Sequence, residues 1–343
     1  MMTPVEFTIV VPVFNASQWL ERCIHSILRQ GLEAYEIILV NDGSTDDCEE
    51  ICRCFAERYD QVKVLTQQNK GVCAARNLGI ANARGQWIIF LDADDYLLDD
   101  GLRQVFMPFN NRQDIEVIQY FSTYDYLAKQ PITQDILFDG KGHEYLKRNG
   151  IISFCWFFAY RRDFLEKHQI LFDVRYIVGE DQHFVANVLL HNPQIVVTSA
   201  NIYRYVVTEG SATTKRDVRH TRRCVKDYLY SFHEILQMSE NLTTDGEEDV
   251  RQACKKSMNA KKMFGFSRML SAKYNRHEFS VLSKEVRALD FYPVIPLGAD
   301  IRSKILAAVM NGVMCHYIFY FLTALTFNQV VVPFILPRIR HTV

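Results

Sequence analysis

Two carboxylates separated by one small residue, Asp92-Ala93-Asp94, follow the apolar run Gln86-Trp87-Ile88-Ile89-Phe90-Leu91, and Asp95 comes next. In an extended segment residues i and i+2 share a side. Asp92 and Asp94 therefore offer hard oxygen donors to one place, a set suited to manganese or magnesium carrying a diphosphate. Without such a cation, acidic residues repel a phosphate. Asp42, in Asn41-Asp42-Gly43-Ser44, ends a second apolar run, and Pro12, Phe14 and Asn15 end a third, Phe7-Thr8-Ile9-Val10-Val11-Pro12-Val13. No Gly-x-Gly-x-x-Gly follows a strand and no P-loop motif occurs, which disfavours dinucleotide hydride transfer and P-loop phosphoryl transfer. Acidic turns also cap helices without binding anything; their position at the ends of apolar strands is what gives these residues weight.

The elements that must hold them alternate in period. Residues 7–13, 36–40, 62–66 and 86–91 read as buried strands, and the stretches between them carry apolar residues at helical spacing, as at Trp19, Leu20, Cys23, Ile24, Ile27 and Leu28. Ser17 is placed to cap the first helix, and Thr45 or Asp46 the second, which runs to about Tyr59. Strand and helix alternating with short turns predict a doubly wound, mostly parallel α/β sheet with flanking helices. In such sheets ligands sit at the carboxyl ends of the strands, where the strand order reverses. Farther on, 115–126, 155–160, 195–197 and 202–207 read as strands, 162–168 as a short helix, and 180–190 as a helix opened by Gly179-Glu180-Asp181.

From about Asp217 the pattern is wholly helical, and the expected organisation is a sheet domain over 1–215, a helical basic region over 216–300 and an apolar tail over 301–343. Between Asp249 and Glu278 lie eight basic residues, Arg251 through Arg276, and no acid, with Met and Phe interleaved. A solvated helix face has the same composition; the sharper expectation is contact with anionic headgroups or a lipid-diphosphate acceptor. Residues 305–337 contain no Asp, Glu, Lys or Arg, with Arg302 and Lys304 before them and Arg338 and Arg340 after. That run is expected to be interfacial or re-entrant in a membrane, with a true span or a buried helix as alternatives. The nine cysteines show no zinc or redox spacing and are expected to be reduced, and nothing at the N-terminus reads as a secretory signal. The formal charge of -1 is a sum of opposites, since residues 1–100 hold 8 basic against 16 acidic residues. Nothing in this balance calls for a nucleic-acid partner.

Four ordered stretches, Thr8 to Asn15, Ile37 to Asp46, Asn69-Lys70-Gly71-Val72-Cys73-Ala74-Ala75-Arg76-Asn77-Leu78-Gly79 and Phe90-Leu91-Asp92-Ala93-Asp94-Asp95, together resemble the signature series of family 2 glycosyltransferases with the GT-A fold, of the bacterial cell-surface polysaccharide type. The likeness covers about residues 5–212, continues in Trp156, Tyr160 to Leu165 and Gly179-Glu180-Asp181, and leaves the tail unexplained. It implies an inverting, metal-dependent transfer from a nucleotide-sugar, first of all a UDP-sugar, to a glycan or lipid-linked acceptor, at the cytoplasmic side of the cell membrane.

Carried onto these positions, the resemblance implies that Asp42 bonds the nucleobase, with Pro12, Phe14 and Asn15 beneath it, though Asp42 also suits an Asx turn. Arg76 would lie near the base or diphosphate, or pair with a nearby acid. Asp92 is expected at the ribose, Asp94 at the metal with Ala93 as spacer, and Asp95 as a helix cap. Asp181 is the expected catalytic base, with Glu180 its rival, and His183 reads as a helix-face residue. Trp156 would stack on a sugar or pack in the core; Arg204 and Lys215 would neutralise diphosphate or be plain surface charge. An inactive nucleotide-sugar-binding scaffold is the first rival. A sugar nucleotidyltransferase is the second, but its Gly-rich phosphate loop is missing after the first strand.

Overall fold

The structure, a computed structural model, describes residues 5–124, 135–208, 217–242, 247–289, 291–296 and 301–326. The chain divides into two compact units, one of Met1–Tyr176 with Glu180–Glu209 and one of Ile177–Gly179 with Gly210–Val343.

The first unit opens with β1 (Phe7–Val13), α1 (Ser17–Leu28), β2 (Tyr35–Asn41), α2 (Cys48–Arg58), β3 (Val62–Thr66), α3 (Val72–Asn82) and β4 (Trp87–Phe90). β1 pairs in parallel with β2 and β4, and β2 with β3. These strands are covered on both faces, so their apolar runs are unbroken; Ile9, Val10, Val11, Ile37 to Val40 and Ile88 to Phe90 are fully buried. Each such side chain contributes about 1.5–3 kcal/mol on leaving water.

There follow β5 (Tyr96–Leu97), α4 (Gly101–Phe106), β6 (Val117–Tyr124), β7 (Ile136–Lys141), α5 (Gly142–Asn149), β8 (Phe158–Arg161), α6 (Arg162–Lys167), α7 (Glu180–Leu190) and β9 (Gln194–Tyr205). Among the described residues all nine strands form one sheet of order β3-β2-β1-β4-β8-β6-β9-β5, with β7 also on β9. β6 runs parallel to β9, while β4–β8, β6–β8, β5–β9 and β7–β9 are antiparallel, so the parallel character belongs to the first four strands. The order reverses around β1 and β4, and their carboxyl ends carry Phe14, Asn15 and the Asp92–Asp95 turn.

Several local expectations change. Ser17 does not cap α1; its own amide donates to Asp46 Oδ2 at 3.0 Å, because a carboxylate from the next loop is the stronger acceptor. Asp46 also accepts from the Cys48 amide at the start of α2. Residues 155–157 form a 3-10 turn ahead of β8 instead of strand, and the two late strands are one, β9.

In the second unit, α8 (Val218–Glu240) is capped by Asp217, whose side chain accepts from the His220 amide, and packs on α9 (Glu248–Ser271). α10 (Arg276–Ala288) starts with a reciprocal Asn275/Glu278 capping box. α11 (Ile301–Cys315) and α12 (Tyr317–Thr326) follow, bent by 116° at a short break. The basic stretch on α9 is not one solvated face. Lys262 is buried over the rings of Phe232 and Phe291, Arg268 is buried, Lys255 pairs with Glu240 and Arg251 with Glu248.

Candidate active site

Asp42 lies at the end of β2, buried, and its carboxylate ties down the loop that starts α3. Oδ1 accepts from Gln67 Nε2 at 2.7 Å and from the Lys70 amide at 2.8 Å, and Oδ2 from the Gly71 amide at 2.8 Å. Three of about four acceptor positions are thus taken, leaving one for a ligand N–H. Both expected roles, loop anchor and base acceptor, are compatible with this geometry. Gly43 beside it has φ +70, and a Cβ there would sit 2.8 Å from the Asn69 nitrogen, so only glycine lets the two loops approach. Asn15 Oδ1 accepts from the Thr45 amide at 2.8 Å, bracing the end of β1 against the same loop. Half-buried Pro12 precedes it, and Phe14, 48% exposed, offers its ring at this rim.

Arg76 projects from α3 into the centre of the site and is 3% exposed. Nη1 donates to Asp181 Oδ1 at 2.6 Å and stands 3.7 Å from Glu180 Oε1, while Nη2 donates to Asp92 Oδ1 at 2.9 Å. Its guanidinium lies over the Phe172 ring at 5.2 Å. Of the alternatives open for Arg76, the one realised is pairing with acids, and these are Asp92 and Asp181, not Asp42.

Asp94 is half-buried, and its Oδ2 accepts from Thr208 Oγ1 at 2.9 Å. Burial, then the neighbouring Asp92 charge, raises its pKa above the ordinary carboxylate range. Asp95 does not cap a helix. It is buried, accepts from Tyr203 Oη at 2.6 Å and from the Val206 amide at 2.7 Å, and so anchors the end of β9. Burial and then the charges of Asp92 and Asp94 push it up to about 8. Ala93, buried, is the small spacer between the two acids. On the other side Arg22 Nη2 donates to the Asp94 carbonyl at 3.0 Å and packs over Tyr96.

Asp181 opens α7, where its second oxygen accepts from the Cys155 amide at 3.4 Å. Burial raises its pKa despite the pull of Arg76. Glu180 is pushed up to about 8, by burial first and then by Asp181. Five carboxyl groups, Asp92, Asp94, Asp95, Glu180 and Asp181, thus face two arginines, Arg22 and Arg76. This excess of negative charge, with an Asp94 carboxyl driven toward its neutral form, is what a hard divalent cation would relieve, and the oxygen donors of Asp94 and Asp92 fit one.

The other expected residues lie outside this cluster. Trp156 is 5% exposed and stacked on Tyr203 at 4.2 Å, so it packs in the core and offers no open face. Arg204 is buried, with Nη1 donating to Asn201 Oδ1 at 2.8 Å and to two carbonyls. Lys215 lies outside the described residues. His183 is a residue of α7, buried against Tyr176. Sequence reasoning missed Thr208 and Tyr203, because nothing in their types marks which acid each would meet.

Residues 8–169 match the family model described as Glycosyl transferase family 2. The Uncharacterized glycosyltransferase EpsJ of Bacillus subtilis is 31% identical over 215 residues, which is 60% of this chain and 62% of EpsJ. Glycosyltransferase GlyA of Streptococcus pneumoniae is 30% identical over 225 residues, 62% of this chain and 32% of GlyA. The chain therefore spans less than two thirds of the length of these curated relatives. The crystal structure of S. aureus TarS 1-349 in complex with UDP-GlcNAc superposes with a TM-score of 0.69 over 95% of this chain and 92% of that one, at 19% identity, a likeness of fold. By the family-model match, residues 8–169 carry a glycosyl transferase family 2 domain, and these relatives share it.

Proposed function

We propose that the chain transfers a sugar from a nucleotide-sugar, a UDP-sugar first among candidates, to a glycan or lipid-linked acceptor in cell-surface polysaccharide synthesis, with inversion at the anomeric carbon. The observation that carries this is the Arg76 bridge, which joins the acid turn after β4 to the acid that opens α7. Leaving-group side and base side are therefore parts of one ionic cluster. TarS structures holding UDP and UDP-GlcNAc, a Pyrobaculum calidifontis mannosyltransferase structure with GDP-Man and Mn2+, and a relative titled minor teichoic acid biosynthesis protein favour this donor class and setting.

A manganese or magnesium ion held by Asp94, with Asp92 beside it, would when bound neutralise the departing diphosphate. Asp181 takes the proton of the acceptor hydroxyl as that oxygen bonds to the anomeric carbon and the bond to the diphosphate oxygen breaks, its electron pair leaving with the nucleotide. Burial raises the pKa of the Asp181 carboxyl, which makes it a better base than an exposed carboxylate, and Arg76 orients it. Asp42, Phe14 and Asn15 form the rim for the nucleobase. Glu180, sharing Arg76 at longer range, is the second candidate base.

The reading extends to location, at the cytoplasmic face of a membrane. No single described helix is long and apolar enough to cross a bilayer, but α11 and α12 together pass for a broken or re-entrant segment. Ile305, Leu306, Ile318, Phe319, Phe321, Leu322 and Leu325 on this pair are all exposed, which suits shallow burial in a headgroup layer. A panel of nucleotide-sugars, assayed for nucleoside diphosphate release with and without manganese, tests the activity. Release from at least one donor only with the metal is expected; no release from any donor would favour an inactive binding scaffold.

A further inference from the structure

The surface beside Asp181 is aromatic. The 3-10 turn Cys155–Phe157 places the Cys155 amide on Asp181, so the preceding residue, Phe154, stands next to the candidate base. Phe154 is 45% exposed, although its ring lies 5.0 Å from Trp156 and 5.7 Å from Phe157. Trp156 is close to parallel with Tyr205, at 6.0 Å and 15°, and Tyr205 meets Tyr124 edge-on at 5.8 Å. Tyr205 and Tyr124 are register partners at the ends of β9 and β6, and each is half-exposed. A series of rings thus leads from the candidate base across two strand ends, backed by the buried Trp156–Tyr203 stack.

The chemistry of this strip selects its occupant. A ring face attracts the C–H face of a pyranose while the sugar hydroxyls stay hydrated. A phosphate-rich strand would need cations, and the groups bordering the strip at Asp181, Glu180 and Asp92 are acids. An isoprenoid chain would have to lie beside these same acids, which a hydrated glycan tolerates.

We propose that Phe154 is the acceptor platform: the sugar carrying the attacking hydroxyl stacks on Phe154, and the sugars behind it on Tyr205 and Tyr124. This rests on the transferase reading and narrows its acceptor to a glycan of more than one residue. It also transfers the sugar-stacking role from Trp156, which is covered, to Phe154, two positions earlier.

The test is saturation-transfer NMR on the full chain with UDP and manganese present, using methyl glycosides of glucose, N-acetylglucosamine, galactose and mannose, and the trisaccharides maltotriose and tri-N-acetylchitotriose as probes. At least one probe is saturated at its ring C–H protons. Phe154→Ala weakens that probe about tenfold, Phe154→Trp restores it, and Tyr205→Ala weakens the trisaccharide more than the methyl glycoside. Retained UDP affinity in each variant reports an intact fold. Saturation of no probe by the wild type, equal saturation in Phe154→Ala, or a concentration-dependent dimer that Phe154→Ala abolishes would each overturn the platform. If the glycoside results hold while the wild type neither binds UDP nor releases nucleotide from any donor, the platform stands and the transferase reading falls.

Discussion

Arg76 Nη1 lies 2.6 Å from Asp181 Oδ1, across 105 positions of sequence, while the other terminal nitrogen of the same guanidinium holds Asp92. The expected base and the acid turn after β4 are therefore set by one planar, permanently charged group. Removing it leaves the carboxyl groups of Asp92, Glu180 and Asp181 without their shared cation.

Arg76→Ala is expected to cost about 3 kcal/mol at neutral pH, the usual scale for breaking a buried ion pair from one side. Arg76→Lys should recover only part of that, since an ammonium cannot address Asp92 and Asp181 in one plane. Denaturant unfolding measures both. A loss within the scatter of surface substitutions would mean that the bridge is not structural.

Glu180 makes stability depend on pH. Its folded pKa, about 8, lies above its ordinary value of 4.5. The folded state thus holds the proton more tightly, so the contribution is fully present below pH 4.5 and is lost as pH rises to about 8. The slope from one proton is at most about 1.4 kcal/mol per pH unit. Glu180→Gln should therefore be more stable than the wild type above pH 8, with the difference closing and reversing toward pH 5. Parallel unfolding curves at pH 5, 7 and 9 check this, and a difference independent of pH would contradict it.

The α11–α12 pair predicts lipid binding. Wild-type protein should co-sediment with vesicles containing anionic phospholipid, and the double variant Ile318→Glu, Leu322→Glu should stay in the supernatant. Both side chains are exposed, so the fold tolerates the change. Wild-type protein that ignores vesicles at low salt would remove the membrane from the account.

How much of this was legible in the sequence depends on the range of the signal. β1 falls where its apolar run begins and ends, because a central parallel strand is apolar on both faces, and the edge strand β3 is bounded just as its short run predicts. β7 was missed: an edge strand reading Ile-Leu-Phe-Asp-Gly-Lys has a buried Phe138 and little else to mark it. β9 was read as two strands because Thr198 to Asn201 is polar, yet its Thr198 hydroxyl bonds Gln119 O inside the sheet. Asp42, Asp92 and Asp94 stand out by their places at strand ends, whereas Asp181 stands out only through the family resemblance. That Arg76 would choose Asp181 was not readable, since their meeting depends on packing between α3 and α7. Trp156 and Phe154 show the same limit: two aromatics two residues apart look alike until Tyr203 covers one of them.

The central claim is that Asp181 acts on the acceptor while the turn around Asp94 serves the donor. It is tested most directly by Asp181→Asn, with UDP affinity by calorimetry and turnover of the best donor measured on the same preparation. The account predicts UDP affinity within about twofold of wild type, and transfer reduced by 10²-fold or more, the scale of a lost general base. Transfer at the wild-type rate, with UDP still bound, would contradict it.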